Sequence, residues 1–77
     1  MNKQRRKQLS GLFDRISQLK EELESVNDEE EEYRDNIPEN LQGSERYEKS
    51  DQAVFDIEQA IEGLQQTLDS IESVIEE

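Results

Sequence analysis

Two long helical patterns are separated by the stretch Arg34-Asp35-Asn36-Ile37-Pro38-Glu39-Asn40-Leu41-Gln42-Gly43-Ser44, and the choice between a hairpin and a rod depends on it. Pro38 lacks a backbone N–H and disfavours helical geometry at the residue before it, so the first helix should end near residues 33–36. Ser44 can cap the free amides of a second helix, whose positive end suits Glu45. A connection this short predicts an antiparallel helical hairpin.

Apolar residues recur in alternating steps of three and four on both sides of this linker. Such spacing keeps side chains on one side of a helix, because seven residues nearly complete two turns. The first series is Leu9, Leu12, Ile16, Leu19, Leu23, Val26, Glu30, Tyr33 and Ile37, and the second is Tyr47, Ser50, Val54, Ile57, Ile61, Leu64, Leu68, Ile71 and Ile75. We predict an all-α, coiled-coil-like hairpin with helices over about 3–34 and 44–76 and a linker over about 35–43.

The register of the hairpin follows from folding the chain about Asn40. Residues whose numbers add to about 80 then face each other, so Glu30 meets Ser50 in a polar layer near the linker. The same rule predicts the apolar pairs Leu12 with Leu68, Leu19 with Ile61 and Val26 with Val54. The charges support this register, since residues 1–20 sum to +5 and residues 21–77 to -17. Antiparallel folding therefore places the basic start beside the acidic C-terminus.

The composition excludes several classes of protein. The 77 residues carry a net charge of -12 and contain no Cys, His or Trp. A disulfide-stapled scaffold, a thiol or imidazole zinc site and catalysis by Cys or His are thereby excluded. No stretch has the roughly 20 apolar residues of a membrane span, and the basic start lacks the apolar run of a signal peptide. We expect a cytoplasmic protein with no membrane contact.

No arrangement in the sequence points to catalysis, a metal or a cofactor. The acidic run over residues 28–32 lacks the spacing and the glycine of a calcium-binding loop, so a solvated surface is expected there. The three glycines are isolated, which excludes a glycine-rich phosphate loop. A thin hairpin also offers no substrate-sized cleft. We predict a protein that is not an enzyme and that binds no cofactor.

The second helix has a wider apolar stripe than a two-helix seam requires. Small or apolar residues stand one position before the seam, and three apolar positions per heptad are typical of a helix with two neighbours. The predicted oligomer interface comprises Ala53, Val54, Ala60, Ile61, Leu68, Val74 and Ile75. We predict a homodimer of hairpins that forms a four-helix bundle. The alternative is a monomer that completes its core on another protein.

Acidic residues of the second helix recur in steps of three, four or seven and form a line on its outer side. Acids four positions apart lie about 6 Å apart, close to the phosphate spacing along one DNA strand. Such a rod can occupy the basic groove of a nucleic-acid-binding protein, although an ordinary charged surface has the same pattern. The basic start is expected to pair with the acidic C-terminus rather than to bind nucleic acid. Phe55 lies outside the stripe, which favours contact with a partner or within a dimer.

The segment from Asn36 to Arg46 reads N-I-P-E-N-L-Q-G-S-E-R. Together with the basic start and the acidic run before Tyr33, it resembles a group of small acidic proteins encoded by phages and mobile elements of Gram-positive bacteria. In that group a basic opening, an acid-rich helix, this linker and a second acidic heptad helix recur. The resemblance implies a role against or within host machinery, inside the bacterial host cell. It also marks Glu39, Glu45 and Arg46 as candidate partner contacts.

The sequence thus predicts a non-catalytic protein-binding module, a phage or mobile-element accessory protein that binds and occludes a host or phage protein. Inhibition of a defence or nucleic-acid enzyme by a DNA-like acidic surface is included in this hypothesis. The predicted partner-binding residues are Glu39, Glu45, Arg46, Phe55, Glu58, Glu62, Asp69 and Glu72. The alternative is a structural or assembly protein whose apolar heptad stripe mediates oligomerisation.

Overall fold

The computed structural model describes residues 1–77 and contains two long helices. Helix α1 spans Lys3–Asp35, a single 3-10 turn spans Glu39–Leu41, and helix α2 spans Glu45–Glu76. The two helices pack side by side into a rod whose backbone measures 59 × 15 × 13 Å. The predicted all-α antiparallel hairpin is confirmed.

Both helices begin at a side-chain cap. The Asn2 side chain accepts a hydrogen bond from the Arg5 N–H at 2.7 Å, and the Ser44 hydroxyl accepts one from the Tyr47 N–H at 3.3 Å. Each cap satisfies one of the four amides that a helix leaves free at its first turn. Local sequence therefore sets where each helix starts.

The linker turns the chain without any residue at positive φ. Helix α1 ends where the Asn36 N–H donates to the Glu32 carbonyl at 3.0 Å, and the Leu41 N–H donates to the Pro38 carbonyl at 2.8 Å across the 3-10 turn. Ile37 lies between these two bonds and is 3% exposed. Its side chain is therefore removed from water at the linker end of the hairpin.

The predicted seam of α2 agrees with the burial pattern. Every member of its series from Tyr47 to Ile75 is buried or half-buried, and Val54 and Leu68 are the most buried apolar residues of the helix. The Ser50 hydroxyl donates to the Glu30 carboxylate at 2.5 Å, as folding about Asn40 predicts. The register of the hairpin near the linker is therefore the expected one.

The predicted seam of α1 is wrong in every second member. Leu12, Leu19, Val26 and Tyr33 are between 43% and 58% exposed. The first three are therefore not buried against their predicted partners in α2, which are Leu68, Ile61 and Val54. The least exposed positions of α1 that keep the 3-4 spacing are Arg6, Leu9, Phe13, Ile16, Lys20, Leu23, Asn27, Glu30 and Arg34. Relative to the prediction, the helix is rotated by about 50°, half of the angle between successive residues.

Phe13 and Arg34 give the physical reason for this rotation. Phe13 becomes half-buried in place of Leu12, and an aromatic ring removes more apolar area from water than leucine does. The Arg34 guanidinium reaches Asp51 of α2, with 2.9 Å between Nη1 and Oδ1. The long stems of Arg34 and Lys20 can lie along the seam while their charged ends stay in solvent. The parts of these two side chains that can lie in the rotated seam are therefore apolar, although both residues are charged.

Candidate protein-binding surfaces

An apolar side face runs along one long side of the rod. On α1 it consists of Leu12, Leu19, Val26 and Tyr33, which repeat every seven residues. The Arg46 guanidinium carbon lies 5.7 Å from the centre of the Tyr33 ring, so the α2 line that starts at Arg46 borders this ridge. The rest of that line, again at intervals of seven, is Ala53, Ala60, Thr67 and Val74.

This side face combines large residues on α1 with small ones on α2. Leu19 is 58% exposed although it is a leucine in a helical heptad, and Ala60 is exposed too. Monomeric proteins rarely keep a continuous apolar strip in water, and such strips mark contacts with other proteins. The α1 ridge was not predicted as a site. Its signal is the adjacent pair Leu12 and Phe13, which gives the first heptad of α1 a third apolar position, although Lys20 and Asn27 occupy that position in the next two heptads.

The predicted oligomer interface divides into two groups. Val54, Ile61, Leu68 and Ile75 lie in the seam, where α1 of the same chain covers them. Ala53, Ala60 and Val74 lie on the apolar side face, where Ala60 is exposed and the other two are half-buried. This second group can meet a further protein while the hairpin stays intact, whereas Val54 and Leu68 are buried within it.

An acidic face lies on the opposite side of α2. Asp51 bonds Arg34 on the side of the seam away from Tyr33, and Glu58 and Glu72 follow Asp51 at intervals of seven. Glu62 and Asp69 flank Glu58 and Glu72 on the outer surface. The acids of the acidic face are these four residues, and all four are exposed. None of the four belongs to an ion pair, and residues 50–77 contain eight acids but no base.

Phe55 belongs to the acidic face. It stands seven residues before Glu62 and is 55% exposed. Because the apolar side face lies across the rod, Phe55 cannot take part in a contact made there. Phe55 is therefore an exposed aromatic residue on the acidic side of the rod.

The remaining predicted partner contacts lie at the linker end. Glu39 is exposed in the 3-10 turn, and Glu45 is paired with Lys49 at 2.9 Å. Arg46 is exposed above Tyr33 and caps the end of the apolar side face. The structure therefore does not join the predicted partner-binding residues into one site. Glu39 and Glu45 lie at the tip, Arg46 belongs to the apolar side, and the others form the acidic face.

A charged cluster holds this end together. Arg34 contacts Asp35 at 3.1 Å and Asp51 at 2.9 Å. The hydrogen bond with Asp35 raises the pKa of Arg34 above its ordinary value, desolvation opposes the change, and the bond with Asp51 adds to it. The guanidinium therefore stays charged at any working pH.

A polar layer interrupts the apolar seam close to this cluster. Ser50 is 4% exposed and donates to the half-buried carboxylate of Glu30. Asn27, one turn earlier in α1, is 5% exposed and its carbonyl oxygen has no hydrogen-bond partner. The apolar spacing predicts the first pair but not Asn27, because the predicted seam passes through Val26.

The concave surfaces of the rod are shallow and open. The larger one follows the outer side of α1 and is lined by Met1, Arg5, Gln8, Leu12 and Arg15, among others. A smaller one continues past Leu19 to Glu22. Both border the apolar side face through Leu12 or Leu19. No three carboxylates are placed to hold a metal ion together.

Neither helix combines the length and the apolar character that are needed to cross a membrane. Comparison of the chain with protein families, with curated proteins and with solved structures found no match.

Proposed function

We propose that this chain is a non-catalytic protein-binding module whose acidic face occupies a basic groove on another protein. The observation that carries the proposal is the one-sided charge of α2, where four exposed acids form a face without a neighbouring cation. Unpaired surface charge of one sign steers the encounter with an oppositely charged surface. In keeping with the resemblance of the linker, the role is that of a phage or mobile-element accessory protein that occludes a nucleic-acid-binding protein.

The position of Phe55 adds an anchor to this proposal. Exposed acids supply long-range attraction, but isolated surface charges contribute only about 0.2–1 kcal/mol each. An aromatic side chain that becomes buried in a complex contributes far more and is enriched among the residues that dominate binding. Phe55 lies at the end of the acidic face that is nearer the linker, so charge and anchor act on the same partner surface.

The test compares two variants of equal net charge. One removes the acidic face through Glu58→Gln, Glu62→Gln, Asp69→Asn and Glu72→Gln. The control removes four acids of α1 through Glu21→Gln, Glu22→Gln, Glu24→Gln and Glu29→Gln. Each immobilised protein is used to capture binding proteins from an extract of a Gram-positive bacterium at 0.05 M and 0.5 M salt. Bound proteins are then identified by mass spectrometry.

We expect the wild-type protein and the control variant to retain the same basic protein at low salt. The acidic-face variant should bind it at least roughly tenfold more weakly, since four exposed charges are removed together. Added duplex DNA should release the captured protein, and 0.5 M salt should do the same because it screens the charges. Equal loss in both variants would show that net charge alone matters and would contradict the proposal.

The apolar side face favours a second candidate function, in which the protein is an assembly element that works through oligomerisation. Leu12, Leu19 and Val26 remain between 43% and 58% exposed in the hairpin. Contact through such residues depends on the removal of apolar surface from water, and salt does not weaken it. The two functions use opposite sides of the rod, so one protein can have both.

A further inference from the structure

We infer that the apolar side face binds a second copy of this chain, with α1 of each copy against α2 of the other and with both linkers at the same end. The inference rests on the second candidate function, assembly, and does not require the acidic face to bind anything. It specifies which helices meet, which neither the sequence nor the hairpin alone states.

The shapes of the two lines on the side face favour this pairing. The α1 line projects Leu12, Leu19 and Val26, whereas the α2 line presents Ala53 and Ala60. When α1 lies over α2 of the second copy, leucine and valine side chains fill the space above alanines, and both helix pairs can keep one separation. The alternative places α1 on α1 and α2 on α2. It sets large residues against large ones in one helix pair and alanines against alanines in the other. The second pair would then need a smaller separation between the helices than the first.

The charges select the same arrangement. Residues 1–20 sum to +5, and residues 50–77 contain eight acids and no base. With α1 against α2 of the second copy, each basic start lies beside an acidic C-terminal half, as it does within the hairpin. With α2 against α2, two segments over residues 50–77, which contain acids but no base, would lie side by side, and their like charges would repel over the Debye length of about 8–10 Å.

The size of the face also suits a dimer. A long side of the 59 × 15 × 13 Å backbone is comparable to the roughly 800 Å² that each partner contributes to a stable interface. The bundle would cover the apolar ridge of both copies at once. The two acidic faces would then point away from each other on opposite surfaces of the bundle, free for other partners.

The first measurement is sedimentation equilibrium of the full chain. We expect a particle of twice the 9.1 kDa chain mass for the wild type, and the single-chain mass for Leu19→Glu. The control Gln65→Glu adds the same charge on the acidic side and should remain dimeric. Circular dichroism at 222 nm should show helix in all three proteins. A wild type that stays at 9.1 kDa at 0.1 mM chain would overturn the inference.

Disulfide trapping then tests the arrangement, and it does so cleanly because the chain has no cysteine of its own. Leu19→Cys and Ala60→Cys are prepared separately, mixed and oxidised. We expect a disulfide that joins the two different variants, and the same result for Val26→Cys mixed with Ala53→Cys. Efficient self-linking of Ala60→Cys alone would instead show α2 on α2. Cross-linking through Gln65→Cys would place the contact on the acidic side, and either result would refute the proposed pairing.

These outcomes separate dimerisation from the binding of another protein. The variant without the four acids of the acidic face should still form the disulfide-trapped dimer. Leu19→Glu should still capture the basic protein if the acidic face acts alone. Loss of one property without the other therefore identifies which of the two proposals fails.

Discussion

Asn27 is the residue of the seam whose replacement should raise stability most. It is 5% exposed, and its side-chain carbonyl oxygen has no hydrogen-bond partner. A buried unpartnered polar group costs about 1–3 kcal/mol. Leucine branches at the same carbon as asparagine and gains about 1.5–3 kcal/mol when fully buried. The unfolded chain already buries part of this apolar surface, so the gain on folding is smaller than the sum of these two values. We therefore expect Asn27→Leu to stabilise the hairpin by at least about 2 kcal/mol.

Thermal unfolding, followed by circular dichroism at equal protein concentrations, measures this gain. About 2 kcal/mol corresponds to a rise in Tm of roughly 8–16 °C for a chain of this length. Part of any gain comes from the higher helix propensity of leucine, so Ser25→Leu serves as the control at an exposed position of the same helix. An unchanged or lower Tm for Asn27→Leu, or an equal rise in the control, would refute the burial of Asn27 and with it the rotated seam of α1.

Four further predictions concern the remaining contacts. Ser50→Ala leaves the Glu30 carboxylate without its donor and should cost about 1.5–3 kcal/mol in urea unfolding, whereas the exposed Ser70→Ala should cost under about 0.5 kcal/mol. Leu68→Ala should cost about 2–5 kcal/mol by the same assay, because this side chain is 4% exposed. Gly11→Ala should add about 0.5–1 kcal/mol, since a new Cβ there meets nothing within 4 Å. The dimer Kd should change less than about threefold between 0.1 M and 0.5 M salt, because the acidic faces lie apart; a much tighter dimer at high salt would indicate α2 on α2.

The helix ends and the register near the linker could be predicted because each depends on a local signal. Pro38 removes a backbone donor, and Ser44 supplies a cap wherever the rest of the chain lies. The observed bounds of Lys3–Asp35 and Glu45–Glu76 lie close to the expected spans. The Glu30–Ser50 contact follows from the length of the linker alone. Such features require no knowledge of which side chains fill the seam.

The seam of α1 could not be predicted because two frames share half of their members. Leu9, Ile16 and Leu23 belong to both, and the choice depends on whether Leu12 or Phe13 faces α2. A hydrophobicity pattern prefers the frame with the leucines. The folded chain instead buries a ring and lets Arg34 reach Asp51, contacts that exist only once both helices are in place. Tertiary contacts therefore override the pattern, and the displaced leucines become the apolar side face.

The acidic face opposes self-association and the apolar side face favours it, and the two effects are compatible because the faces lie on opposite sides of the rod. A chain with a net charge of -12 resists association with its own copies, because like charges repel through any contact that brings them close. The apolar side face can bind a second copy only if the unpaired acids lie elsewhere, and they do, since the acidic face lies across the rod from Leu19. The same separation leaves those acids unneutralised in the dimer and available to a basic surface. The rotation of α1 therefore matters for both proposed functions, because burial of the leucines in the hairpin would have left the chain with charge for the proposed binding but no apolar face for the proposed assembly.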